Sequence, residues 1–176
     1  MKKSLFVFIA CLFPLVLSAQ SIKNSGINPF TGDSIIVTSW SRIDTKAILP
    51  LEENFDFSFM LRKEDNKLYF HLKRNNAKIN KINRDSKIQF MLIDNSLITL
   101  HAIDTFIAET DVYTYLDMSR SRNIIHAVYE GDFSSLLNGS FIKAIQIETM
   151  WGKLILKLDK KNAEKINKAY QLILQN

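Results

Sequence analysis

The stretch from Phe141 to Asn176 constrains this chain most, and it says more about architecture than about chemistry. Ile145 and Ile147 alternate with Gln146 and Glu148 in a β-branched run, the period of a half-buried strand. Met150-Trp151-Gly152-Lys153 follows, and Gly152 can supply the positive φ of a tight hairpin turn. Leu154, Leu156 and Leu158 line one face of the returning strand, and Asp159 ends it, offering a carboxylate as helix N-cap. Ala163, Ile166, Tyr170 and Ile173 then recur at helical spacing, widened by Ala169 and Leu174. Lys161, Glu164, Lys165, Lys168 and Gln171 take the opposite face, as in an amphipathic helix. Glu164 and Lys168 stand i, i+4 in the favourable order, worth ~0.3 kcal/mol. A helix of about 15 residues is marginal alone in water, so its stripe needs a sheet beneath it. The leucine face of the hairpin is the nearest candidate. A helix meant for a partner would carry the same stripe; packing on the chain's own core is the simpler expectation.

Upstream, the same alternation repeats. Phe55, Phe57, Phe59 and Leu61 alternate with Asp56, Ser58, Met60 and Arg62, the clearest period of two in the chain. Glu64-Asp65-Asn66 turns this strand, and Leu68, Phe70 and Leu72 return. Ile88, Phe90 and Leu92 begin another hairpin, turned at Asp94-Asn95-Ser96 and completed by Leu97 to Ile103. Ser34 to Arg42 reads as a strand by composition. Thr45 to Glu53, with Pro50, reads as a loop, Asn75 to Arg84 as a solvated connection, and Ser119 to Arg122 as a polar break. A short strand with irregular ends is expected within Asp104 to Asp111, and others at Val112 to Leu116 and around Ile125, Ala127 and Tyr129. Asp132 to Gly139 reads as a helical turn or two, capped by Asp132. Sequential hairpins imply antiparallel pairing. The expectation is an α+β, mainly β fold: a strongly bent antiparallel sheet or half-open barrel of about eight or nine strands, closed by the C-terminal helix.

Ala127-x-Tyr129, Asp132-Phe133-x-x-Leu136, Ile142 to Ile147 and Asn162-Ala163-Glu164-Lys165 together resemble the ends of many small, largely uncharacterised exported proteins of Gram-negative bacteria. The resemblance covers about the last 50 residues. It implies a strand, a short helix, a hairpin and a helix, and it supplies no function.

Residues 1–19 read as a secretory signal peptide: Lys2 and Lys3, an apolar run from Leu5 to Leu17, then Leu17-Ser18-Ala19. The run is shorter than the ~20 residues of a membrane span, and Cys11, the single cysteine, sits in mid-run, a poor place for a lipid anchor. Residues 20–33, with Gly26, Pro29 and Gly32, read as a leader strap that Phe30 could pin to the body. Residues 34–176 form one β-rich domain. Cleavage after Ala19 leaves no cysteine, hence no disulfide and no thiolate chemistry. It also leaves 21 basic and 18 acidic residues, a charge of +3 against +5 for the whole chain. The implied location is the periplasm or cell surface, with no membrane span after cleavage.

Catalytic signatures are sparse. His71, His101 and His126 fall on separate strands, and no spacing brings them together. Glu52-Glu53 and the Glu109/Asp111 pair read as solvated charges. No nucleophile elbow, phosphate loop, His-Glu-x-x-His or dinucleotide fingerprint is present. No cofactor, metal site or catalytic residue is read from the chain. Charge is the most uneven feature: Arg62, Lys63, Lys67, Lys73, Arg74, Lys78, Lys81, Arg84 and Lys87 stand against Glu64, Asp65 and Asp85, +6 within 26 residues. Such a segment can meet an anionic surface, such as a lipid headgroup, a glycan or an acidic protein, or it can be a solvated rim that keeps sheet edges apart. Nucleic acid is not expected in an exported chain without a nucleic-acid motif. The leading expectation is a non-enzymatic exported binding module with Arg62, Lys63, Lys73, Arg74, Lys78, Lys81, Arg84 and Lys87 as its binding residues. The alternatives are a hydrolase built on converging carboxylates or histidines, and a carrier with an apolar cavity lined by Phe55, Phe57, Phe59 and Phe90.

Overall fold

A computed structural model describes residues 20–49, 54–75, 80–115, 118–138 and 141–176. The signal-like segment, Glu52-Glu53 and Lys78 lie outside them. The fold is mainly antiparallel β with one C-terminal helix. The strands are β1 (Ile22–Ile27), β2 (Ser34–Thr38), β3 (Ser41–Leu49), β4 (Asn54–Glu64), β5 (Lys67–Asn75), β6 (Lys81–Ile82), β7 (Lys87–Leu92), β8 (Leu97–Ala102), β9 (Phe106–Ile107), β10 (Glu109–Tyr115), β11 (Met118–Glu130), β12 (Ile142–Thr149) and β13 (Gly152–Lys157). A 3-10 helix covers Ser134–Asn138, and α1 covers Lys160–Leu174. Eleven strands share one sheet, and β6 pairs with β9 apart from it.

The expected hairpins form. Strands β4 and β5 pair from Glu64↔Lys67 to Ser58↔Lys73, with Asp65 at φ +54° in a two-residue turn. β7 pairs with β8 and β12 with β13; Gly152 sits at φ +116°, and Trp151 at that turn is 71% exposed. Long-range ladders join these hairpins: β3 to β4 and β13, β7 to β12, and β11 to β5 and β8.

Several local readings need correction. Thirteen strands are described rather than eight or nine, because short runs such as Lys81–Ile82 gain ladder partners that local pattern does not reveal. The leader segment contains β1, which pairs along β2; its polar side chains point to solvent, as an edge strand permits. Phe30 pins nothing and is 96% exposed. Ser119 to Arg122 is no break but part of β11, its backbone paired with β10 and Arg122 held 2.8 Å from Asp111. Strand β3 runs to Leu49, through the first half of the expected loop. Ile82, in the expected solvated connection, is fully buried.

One face of the sheet carries the core. Phe57, Phe59, Leu61, Phe70, Leu72, Ile88, Phe90, Leu92, Ile125, Ala127 and Tyr129 are all buried, each at the alternate position its strand's period assigns. Phe59 stacks on Phe70 at 5.6 Å, and Phe70 meets Phe90 edge-on at 5.2 Å. Phe133, just before the 3-10 helix, lies 5.8 Å from Phe90 and 5.9 Å from Tyr170 of α1. Asp132 caps that turn through the Ser134 N–H at 2.7 Å.

Helix α1 starts where the sequence places it, its Asn162 N–H donating to the Asp159 carboxylate at 2.8 Å. Ala163, Ile166, Ala169, Tyr170 and Ile173 are buried, whereas Leu174 is 43% exposed and does not widen the stripe. The helix lies closest to β4 and β2 and only then to β3 and β12, so the sheet beneath it is not chiefly the leucine face. Asn162 is buried as well, its amide donating to the Asp44 carbonyl at 2.8 Å, which ties the first turn to β3.

Candidate functional site

The outer face of β4, β5 and β11 carries a different chemistry. On β5, Phe70 and Leu72 point inward, so His71 points outward between them; on β11, Ile125 and Ala127 place His126 outward in the same way. The β5–β11 register sets Val128 opposite His71 and His126 opposite Lys73. The two histidines are therefore diagonal neighbours on one face, within reach of each other's rings. His71 Nδ1 and His126 Nε2 lie 3.1 Å apart, with ring centroids 5.3 Å apart and tilted by 41°. One nitrogen donates and the other accepts, so the pair holds a single proton between them. Trp40, in the β2–β3 connection, stands edge-on to His126 at 5.5 Å and 69°.

Although it faces outward, His71 is only 7% exposed, and its Nε2 is buried without a hydrogen-bond partner. Burial pushes its pKa down to about 4, helped by the charges of His126 and Arg62. Burial, and then the nearby Lys73 ammonium, also lowers His126. Desolvation penalises the charged imidazolium, so at neutral pH both rings are uncharged and keep their lone pairs.

The expectation of isolated histidines is thus overturned for His71 and His126. Fifty-five residues separate them, and only the β5–β11 ladder brings them together. The local signal available was a pair of histidines each flanked by inward apolar neighbours. His101 is exposed on β8, opposite Lys87. Among the described residues no group of three or more His, Cys, Asp and Glu gathers as a metal cluster.

Two hollows flank the pair. One, of about 290 Å³, is lined by Trp40, Arg42, Asp56, Phe57, Ser58, Lys73 and Asn75. In it, Asp56 pairs with Arg42 at 2.9 Å, and Arg42 also holds Asp44 at 2.7 Å, so one guanidinium is shared by two carboxylates. The other, of about 450 Å³, runs from Thr105 to Glu109 and reaches Ile124 and His126.

The described basic residues of that segment leave their strands on different sides. Lys73 borders the histidine pair, exposed and without a carboxylate partner among the described residues. Arg62 shares that face near the β4–β5 turn, but it is paired with Glu64 at 2.6 Å and lies over the Tyr69 ring at 5.8 Å. Lys63 alternates to the other side of β4, where it lines a hollow with Phe133 and Tyr170. Lys67 pairs with Glu130 at 3.3 Å. Arg74 alternates away from Lys73 at the far end of β5, seven residues or about 23 Å from Lys67 beside the turn, at a rise of ~3.3 Å per residue. Lys81 lies on β6, Arg84 in the loop after it and Lys87 at the start of β7. Comparisons with known protein families, with curated proteins and with solved structures return no match to this chain, so its site rests on geometry alone.

Proposed function

We propose that this chain is an exported, non-enzymatic binding module whose outer β4–β5–β11 face holds an anionic glycan in the hollow between Trp40 and Lys73. The observation that carries this reading is the hollow itself: a half-buried indole, an exposed ammonium with no carboxylate bonded to it among the described residues, the Arg42–Asp56 pair and the polar Ser58 and Asn75 converge on about 290 Å³. That size sits near the lower end of small-ligand sites, roughly 300–1,000 Å³. It suits a sugar-sized group better than a flat membrane or a protein face.

Behind this face the sheet is read as a half-open barrel. Pairing passes from β4 through β5, β11, β8, β7, β12, β13 and β3 and returns to β4. Eight strands leave an interior that side chains just fill. The joint between β11 and β8 is short, with Tyr129↔Ala102 and Glu130↔His101 followed by the Ile103 N–H on the Val128 carbonyl at 3.1 Å, and this is where the barrel would be open. The aromatic stack from Phe59 to Tyr170 occupies the space an apolar cargo would need, which weighs against a carrier.

Converging histidines are also what a hydrolase would show. Here the two rings bond each other rather than a hydroxyl nucleophile or a carboxylate, which favours the non-enzymatic reading. Titration of the protein with a uronate-containing oligosaccharide at low and high salt tests the proposal. Binding should weaken as salt rises, since screening acts beyond about 8 Å at physiological ionic strength, and Lys73→Gln and Trp40→Ala should each weaken it. Equal binding of a neutral oligosaccharide, or no binding at low salt, would discard the anionic reading.

A further inference from the structure

We propose that His71 and His126 form a binding site for a single copper(I) ion, with Met60 as a third donor. The two imidazole nitrogens face each other at 3.1 Å. At metal–nitrogen lengths of about 2.0 Å, nitrogens this far apart subtend an angle of about 100° at a shared ion. Opening the pair by about 0.4 Å would give the 120° of a trigonal site. An angle this far from linear leaves one side of the ion for another donor. Met60 is paired directly opposite His71 in the β4–β5 ladder, so both side chains leave the sheet on the same face, about 5 Å apart at Cβ.

The donor set selects the metal. Two neutral imidazoles and a thioether are borderline-to-soft ligands, and thioether sulfur favours copper(I) over zinc. Zinc sites ordinarily need three or four nitrogen, sulfur or carboxylate donors, and no such group of three gathers among the described residues. Copper(I) is content with two or three donors.

The ring orientation fits occupancy as well, with one nitrogen of each imidazole already turned to the other. Ligation through Nδ1 puts the His71 proton on Nε2, which is buried and unpartnered with or without metal. Binding therefore adds no orphan that the free protein lacks. Trp40 against His126 provides an optical reporter.

The test uses the untagged full chain carrying Cys11→Ser, so that neither a thiol nor a tag binds copper. Anaerobic competition for copper(I) against a chromophoric chelator should show one ion per chain, with part of the tryptophan fluorescence quenched. His126 is exposed, so His126→Gln should keep its melting point. It should lose more affinity than the ~10–100-fold that follows loss of a merely supporting residue. Met60→Leu should weaken binding less, His101→Gln should not change it, and Trp40→Phe should abolish most of the quench while the exposed Trp151 still emits. No copper held against the chelator, binding unaffected by His126→Gln, or zinc bound as tightly as copper(I) would each overturn the site. Lys73→Gln separates this site from the glycan reading: it should spare copper binding, and His126→Gln should spare the effect of Lys73 on the glycan.

Discussion

The two faces of β5 make the sharpest comparison in the molecule. Phe70 and Leu72 point into a core built by their own hairpin, the neighbouring hairpins and the closing helix; His71, one residue from each, points the other way into a site made with His126, 55 residues on. The inner face is specified many times over, because each buried apolar position agrees with the period of its own strand. The outer site is specified once, by the register of β5 on β11. A slip of one residue would turn every side chain to the other face, and a slip of two would separate the histidines while leaving the core alternation intact.

The inner face should therefore fail heavily when cut. Phe133→Ala removes the ring that joins Phe70, Phe90 and Tyr170 and should cost about 3–5 kcal/mol; Ile166→Ala, at a fully buried helix position, should cost about 2–5 kcal/mol. Denaturant melts of the two variants measure this. A loss below about 0.5 kcal/mol for Ile166→Ala would mean that the helix is loosely attached.

The outer site should instead register in pH. His71 is held down to about 4 in the fold against about 6.5 when unfolded. The unfolded chain thus takes up its proton first, and stability falls as pH falls. The contribution of His71 is complete above pH ~6.5 and drains between ~6.5 and ~4, by at most about 3.5 kcal/mol at ~1.4 kcal/mol per unit. His126, also lowered, acts in the same direction. Melting points from pH 7 to pH 4.5 should fall more steeply for the native chain than for His71→Gln. Parallel slopes would show that the buried ring is not protonated on unfolding.

What was legible in the sequence follows from this comparison. The hairpins at Glu64–Lys67 and Thr149–Gly152, the Asp159 cap and the buried stripe Ile166-Tyr170-Ile173 were all readable, because their signals are local. The edge strand Ile22–Ile27 was not: its side chains are polar and exposed, and only its backbone, paired along Ser34–Thr38, makes it a strand. The run Ser119–Arg122 misled for the same reason. The histidine pair was invisible because the β5–β11 ladder joins strands that are not a hairpin and carries no local mark, and the basic run from Arg62 to Lys87 suggested a patch because charge in sequence says nothing about which side of a strand each lysine leaves.

A point between the faces tests how tightly the two are joined. Gly131 follows β11, and a Cβ there would stand 2.6 Å from Leu100 Cδ2 and 3.0 Å from the Thr99 carbonyl oxygen. The leucine tip can yield, but it lies in a filled core and the carbonyl cannot move without β8. Gly131→Ala should cost about 1–3 kcal/mol, as overpacking does. Since β11 meets β8 over a short stretch at Tyr129 and Glu130, the strain falls on that joint. Hydrogen exchange of the His101 and Ile103 amides, which face β11, should rise in the variant, and unchanged exchange there would mean that the joint is not where the strain is relieved.

The smallest effect separates two lysines on one strand. Lys67 and Lys73 both leave β5 on the outer side and both are exposed. Lys67 is tied to Glu130 at 3.3 Å, however, whereas Lys73 borders Trp40 and His126 without a carboxylate partner among the described residues. Exposed ion pairs contribute about 0–1 kcal/mol, and unpaired surface charges away from special features are worth less than about 0.5 kcal/mol. Lys67→Gln and Lys73→Gln should therefore both leave the melting point nearly unchanged, with Lys67→Gln the slightly larger loss. Binding should divide them: only Lys73→Gln should weaken capture of a uronate oligosaccharide and flatten its salt dependence, because only that ammonium reaches the hollow lined by Trp40 and Asn75. Equal losses from the two variants would mean that the chain attracts anions by its net charge alone, and that the hollow beside the histidines is not the place where they bind.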